Sequence, residues 1–155
     1  MRHVYRLSDA LKELFLVLWL WLPVGFAYQP RRTVPVIASL TTYPPRIGKS
    51  WLAIETLLRQ SVRAERLVLV LNDVEFPTRV LPRTIKRQTR RGLEILWAER
   101  NGRSHDKLIP VRAKYPGATI VTFDDDKYFP RTLLDELVRA SMHYPGHVIG
   151  ARGWL

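Results

Sequence analysis

Cysteine is absent from this chain of 155 residues, which excludes a disulfide framework, a thiolate metal site, a cysteine nucleophile and any thiol redox role. Histidine is sparse, limited to His3, His105, His143 and His147. No Walker A loop, G-x-G-x-x-G fingerprint or G-x-S-x-G elbow occurs. Acidic residues are few: 14 Asp+Glu stand against 25 Lys+Arg, a formal net charge of +11. Such a surplus implies polyanionic company, whether ligand phosphates, anionic lipid head groups or nucleic acid, and does not choose among them. Apolar residues, by contrast, are plentiful. At 46 % hydrophobic and 10 % aromatic the chain is too apolar to be disordered, and its length suits one domain with a usable core.

Residues 1–33 differ from the rest. Leu7, Ala10, Leu11, Leu14, Phe15 and Leu18 recur at helical spacing. From Leu14 to Tyr28 the chain carries no charge, a run worth about 22 Å as helix against a bilayer core of about 30 Å. Pro23 interrupts it. A spanning helix is therefore disfavoured, and three readings stay open. An interfacial helix would set Trp19 and Trp21 at head-group depth, with Arg2, Arg6, Lys12, Arg31 and Arg32 near anionic lipid on the inner face of the membrane. A signal-like leader for export fits the small-x-small form of Gly25-Phe26-Ala27, although the leading region is long and holds two acids. The third is a plain packing helix.

Beyond residue 33 strand and helix patterns alternate. Apolar runs at Val34–Leu40, Leu67–Leu71, Leu93–Trp97 and Ala118–Phe123 read as buried strands, and His147–Gly150 as the start of a fifth. Helices are expected at Ser50–Gln60 with Ser50 as N-cap, at Pro82–Arg91 closed by Gly92, at Asp106–Tyr115, and at Pro130–Tyr144. This alternation predicts an α/β fold with a mostly parallel sheet covered by helices on both faces. Ligands of such sheets bind beyond the carboxyl ends of the strands. The polar clusters fall there: Thr41-Thr42-Tyr43, Asn72-Asp73 and Asp124-Asp125-Asp126.

Three adjacent carboxylates after an apolar strand repel one another unless something balances them. A divalent Mg²⁺ or Mn²⁺ suits hard oxygen ligands, and such ions use one or two carboxylates plus ligand phosphates. Alternation along an extended segment would put Asp124 and Asp126 on the metal and turn Asp125 elsewhere. The bland alternative is a solvated acidic turn. Lys107, at an expected helix start, is a candidate diphosphate contact, with a solvated lysine as its alternative. His105 lies in the same loop, where a surface role is the simpler reading. Arg79, Arg83, Lys86, Arg87, Arg90 and Arg91 form a stretch without an acid, read first as a solvated face and second as a contact for a membrane or anionic partner.

The blocks VIASLTTYPPRI, LLRQSV, LVLVLND, RRGLEI, DKLIPVRAKYP and ATIVTFDDDKYFP together resemble bacterial glycosyltransferases of the GT-A type, related to the family 2 enzymes that use nucleotide-diphospho-sugars. The resemblance runs from about Val34 to Arg152. It implies a Rossmann-like nucleotide-sugar-binding domain at 34–155 behind the N-terminal segment. Thr41 and Tyr43 match positions lining the nucleotide pocket, Asp73 matches an acidic position contacting the base, and Lys107 matches a residue approaching the same pocket. Asp124 and Asp126 match the outer acids of the DxD motif, which holds Mn²⁺ or Mg²⁺ against the diphosphate. The implied reaction transfers a sugar from that donor to a glycan or lipid acceptor. In the family the acceptor half and catalytic base follow the fifth strand, so the chain reads as a donor-binding portion without an assigned base. Asp135 and Glu136 sit within a helix as solvated acids.

Two other classes compete. An aspartyl-nucleophile phosphohydrolase would carry its D-x-D on the first strand, with Thr or Val where Tyr128 stands here. A non-catalytic basic protein of the membrane surface or of nucleic acid would leave the acidic turn structural. Nucleic acid is the weaker partner, because no aromatics interleave with the Arg-rich helix.

Overall fold

The computed structural model describes Tyr28 and residues 32–151. Four strands, β1 (Val36–Thr41), β2 (Arg66–Asn72), β3 (Leu93–Ala98) and β4 (Thr119–Phe123), form a single sheet in the order β3-β2-β1-β4. Every pairing is parallel, with Ala38 opposite Leu67 on one side and Val121 on the other. Among the described residues four α-helices accompany it: α1 (Pro44–Leu58), α2 (Arg83–Thr89), α3 (Ile109–Lys114) and α4 (Leu133–His143), with a 3-10 turn at Arg103–Lys107 before α3.

Alternation along the strands builds two cores. Val36, Ala38 and Leu40 of β1 and Leu67, Leu69 and Leu71 of β2 face a cluster closed by α1, α2 and α4. Ile37, Val68 and Val70 face the opposite cluster, closed by Val111 of α3 with Tyr115. Both faces of β1 and β2 are thus covered, which explains why their sequences read as unbroken apolar runs.

Local chemistry moves several expected boundaries. Helix α1 starts six residues before Ser50, because Pro44 and Pro45 occupy its first turn with φ already set for a helix. Ser50 is instead buried inside it and donates its hydroxyl hydrogen to the Ile47 carbonyl, 3.0 Å away. The helix expected at Asp106–Tyr115 is split at Leu108, where Pro110 in the first turn of α3 opens a fresh start. Gln60, buried at the end of α1, receives a hydrogen bond from Leu134 N at 2.9 Å and gives one to Pro130 O at 2.8 Å, fixing where α4 begins.

The expected fifth strand is not formed. Residues 147–150 pair with nothing in the sheet, and Val148 is fully exposed. Of residues 1–33, only Tyr28, Arg32 and Thr33 are described, so the helical, interfacial and leader readings lie outside the described residues. Tyr28 bridges Val62, with its amide bonded to Ser61 O at 3.0 Å. Among the described residues no helix is long and apolar enough to cross a membrane.

Candidate functional site

The chain steps outward from β1 to β2 to β3 and then returns to the far side of β1 for β4. Open α/β sheets hold ligands where the strand order reverses in this way, beyond the carboxyl ends of the strands. A cavity of about 540 Å³ lies there. Thr41, Thr42 and Tyr43 leave β1 into its wall, Asn72 ends β2 with Glu75 after it, Asn101, Arg103, Ser104 and Lys107 follow β3, and Phe123 to Asp125 close β4.

Each wall is braced by its own hydrogen bonds. Thr41 Oγ1 donates to Val70 O at 2.9 Å, so its hydroxyl ties β1 to β2. Asn72, buried at the end of β2, accepts from Glu75 N at 2.8 Å and donates to Glu75 Oε2 at 3.1 Å. Glu75 in turn accepts from Asn101 Nδ2 at 3.0 Å, joining the loops after β2 and β3. Asp106 is buried in the 3-10 turn and accepts from Gly102 N at 3.0 Å. A Cβ on Gly102 would lie 2.5 Å from Asp106 Oδ1, so a side chain here would have to displace that carboxylate. The turn so fixed carries Arg103 and Lys107 to the cavity.

The three aspartates are engaged differently. Lys107 Nζ donates to Asp124 Oδ1 at 2.7 Å. Asp125 is the least exposed of the three; it accepts from Thr42 Oγ1 at 2.5 Å and from Arg46 Nη1 at 3.1 Å. The same Arg46 nitrogen lies 3.0 Å from Asp126 Oδ2. The hydrogen bond to Asp125 is the leading reason that the Arg46 guanidinium holds its proton even more firmly than usual. Its guanidinium carbon also sits 5.5 Å from the centroid of the Tyr43 ring.

Thr41, Tyr43, Lys107 and Asp124 are therefore brought together around one cavity, whereas Asp73 and Asp126 are not among its lining residues. Asp73 is turned to Arg79, which donates to both its oxygens at 2.6 and 2.7 Å and holds its carboxyl below the usual range. Alternation predicts Asp125 turned away, but it faces Thr42 across the cavity wall, because the chain leaves its extended course at β4's end. Asp135 pairs with Arg139 within α4, and neither it, Glu136 nor His105 lines the cavity. Arg46, Glu75, Asn101, Arg103 and Ser104 also line it without having been singled out by motif. For Arg46 the signal was the Pro-Pro pair, which starts α1 early and turns its first polar side chain toward β4.

Comparison of the chain with protein-family models, with curated proteins and with solved structures finds no match. The site is thus read from its own chemistry. Its lining holds three cations (Arg46, Arg103, Lys107) against three carboxylates (Glu75, Asp124, Asp125), with hydroxyl and amide groups between them. No group of three His, Asp or Glu among the described residues forms a ready-made metal cage. Asp124 and Asp126, with side chains 59 % and 41 % exposed, each keep one carboxylate oxygen without a partner among the described residues. Hard, exposed oxygens of this kind suit Mg²⁺ or Mn²⁺ arriving with phosphate ligands, since these ions need only one or two carboxylates.

Proposed function

We propose that the chain is a glycosyltransferase of the GT-A type, or the donor-binding portion of one, that takes a nucleotide-diphospho-sugar into this cavity and serves a glycan or lipid acceptor at the inner face of the membrane. The observation that carries the reading is the pairing of Asp124 with Lys107 at the reversal point of a parallel sheet. A cavity of about 540 Å³ is within the range for a cofactor-sized ligand. Because the lining cations and carboxylates balance, a diphosphate entering it calls for additional positive charge.

Asp124, with Asp126 beside it, would hold the divalent ion. When bound, that ion neutralises charge growing on the departing nucleoside diphosphate. The chain's own residues have complementary tasks. Lys107, once it exchanges Asp124 for a phosphate oxygen, supplies an ammonium to the diphosphate. Arg103, in the same braced loop, adds a second cation to the wall. Arg46 and Thr42 keep Asp125 in place, so the loop after β4 holds its shape while Asp124 changes partner. Thr41 and Tyr43 form the wall that would face the nucleotide, and Asp73, engaged by Arg79, would need to release it to reach a base.

Thermal-shift titration with uridine-diphospho-sugars, with and without Mn²⁺, tests this. Stabilisation that requires Mn²⁺ and disappears in Asp124→Asn supports it. Stabilisation by an oligonucleotide to the same extent, unchanged in Asp124→Asn, would favour the non-catalytic basic-protein alternative.

A further inference from the structure

From Phe76 to Leu93 the chain contains six cations and no acid. Two of them are used internally: Arg79 pairs with Asp73, and Arg91 pairs with Glu55. The side chains of Arg83, Lys86, Arg87 and Arg90 are exposed and meet no carboxylate among the described residues.

Their common direction follows from how α2 is held. Ile85 is fully buried, and Gln88, three residues on, donates to Trp51 O of α1 at 2.7 Å. These two anchors fix the helix's rotation. At 3.6 residues per turn, positions 83, 86, 87 and 90 fall opposite them, on one outward strip. The segment leading into α2 is equally fixed. Phe76 is buried edge-on to Trp97, and the Arg79–Asp73 pair staples the loop across its base. In that fixed loop, which leads into the cationic helix, Val74 and Val80 remain 64 % and 69 % exposed.

We infer that this face docks on an anionic lipid surface, with the four cations among the phosphate head groups and Val80 reaching the boundary with the acyl chains. Charge complementarity selects an anionic partner. The exposed valines separate lipid from nucleic acid, because apolar side chains gain from the acyl boundary and nothing from a phosphate backbone. Phe76 is the only aromatic between Val74 and Arg91, and it is buried, so no exposed ring there can stack on a base. The docking segment begins at Asn72 and Glu75 of the cavity wall, so contact brings the cavity rim to the lipid. The inference stands whether or not the cavity takes a sugar nucleotide.

The absence of cysteine allows a single environment-sensitive fluorophore to be attached through Val80→Cys in the full chain. With vesicles of phosphatidylcholine containing about one-third phosphatidylserine, the probe is expected to shift to the blue, and with phosphatidylcholine alone to stay unshifted. Cosedimentation with the anionic vesicles should fall at least about tenfold in Lys86→Gln/Arg87→Gln/Arg90→Gln, since each cation near the surface contributes separately. Arg83→Gln alone, a milder change, should give a smaller fall in the same direction. Equal sedimentation of wild type and triple variant would overturn the inference, as it would mean that another part of the chain holds the membrane. An unshifted probe on vesicle-bound protein overturns it as well. Displacement of the vesicles by an oligonucleotide that binds more tightly through the same three cations would assign the face to nucleic acid instead.

Discussion

Lys107 Nζ lies 2.7 Å from Asp124 Oδ1, linking the turn after β3 to the end of β4 at the mouth of the cavity. With Asp124 more than half exposed, this pair contributes at most about 1 kcal/mol to folding. Lys107→Ala should therefore leave the melting temperature within a few degrees of wild type. It should nonetheless weaken nucleotide-sugar binding about tenfold or more, the scale of a lost charge-assisted hydrogen bond. Isothermal titration beside a thermal melt separates the two effects.

Asp125 has the opposite role, being largely buried and engaged by Thr42 and Arg46. Arg46→Ala leaves its carboxylate with one hydroxyl partner, and a measurable loss of stability is expected, reduced by the solvent exposure of the guanidinium. Asp125→Asn in the same chain should recover part of it. Denaturant unfolding of the two single variants and the double variant checks this non-additivity.

Gly102 offers a steric test of the braced loop. Gly102→Ala would put a Cβ 2.5 Å from Asp106 Oδ1 and force the carboxylate off the Gly102 amide. About 1–3 kcal/mol of stability should be lost, together with ligand affinity, since the loop carries Arg103 and Lys107. Asp106→Asn retains an acceptor oxygen and should cost less than Gly102→Ala in the same melts.

Two carboxylate pairings set the pH response. Burial alone would raise the Glu55 carboxyl, but hydrogen bonds from Arg91 and Arg59 outweigh it and hold the group below its ordinary 4.5. The stabilisation is therefore present above about pH 4.5 and lost as the pH falls through the lower folded value. Glu55→Gln should be markedly less stable than wild type at neutral pH, with the gap closing in acid. Tyr115 shifts the other way. Burial first, and then its hydrogen bonds to Glu94, push its hydroxyl up to about 12. Its neutral form is favoured in the fold, so that stability is complete below about pH 10 and lost as the pH rises toward 12. Ultraviolet titration should show a late-ionising tyrosine in wild type that is lost in Tyr115→Phe.

Much of the sheet was legible because burial on both faces writes long apolar runs such as Leu67–Leu71, and turn residues such as Gly92 mark where they begin. The start of α1 was less legible: Ser50 looks like a cap, and only tertiary context reveals it as a buried hydroxyl inside a helix begun by two prolines. His147–Gly150 has strand-like composition, but composition does not supply a neighbouring strand, and the segment makes no pairing. In the site, the strand-end rule located Thr41, Tyr43 and Asp124, and the loop before the expected helix located Lys107. It could not locate Arg46 or Glu75, whose places depend on pairings between distant loops, nor foresee that Arg79 would claim Asp73.

The most direct test of donor binding is a crystal of the chain grown with Mn²⁺ and uridine diphosphate and measured for anomalous scattering from manganese. We expect one peak in contact with Asp124 and with the diphosphate oxygens, and Lys107 moved from the aspartate to a phosphate. Nucleotide bound away from the cavity, or bound within it while the Lys107–Asp124 pair stays closed and no manganese is present, would contradict the proposal.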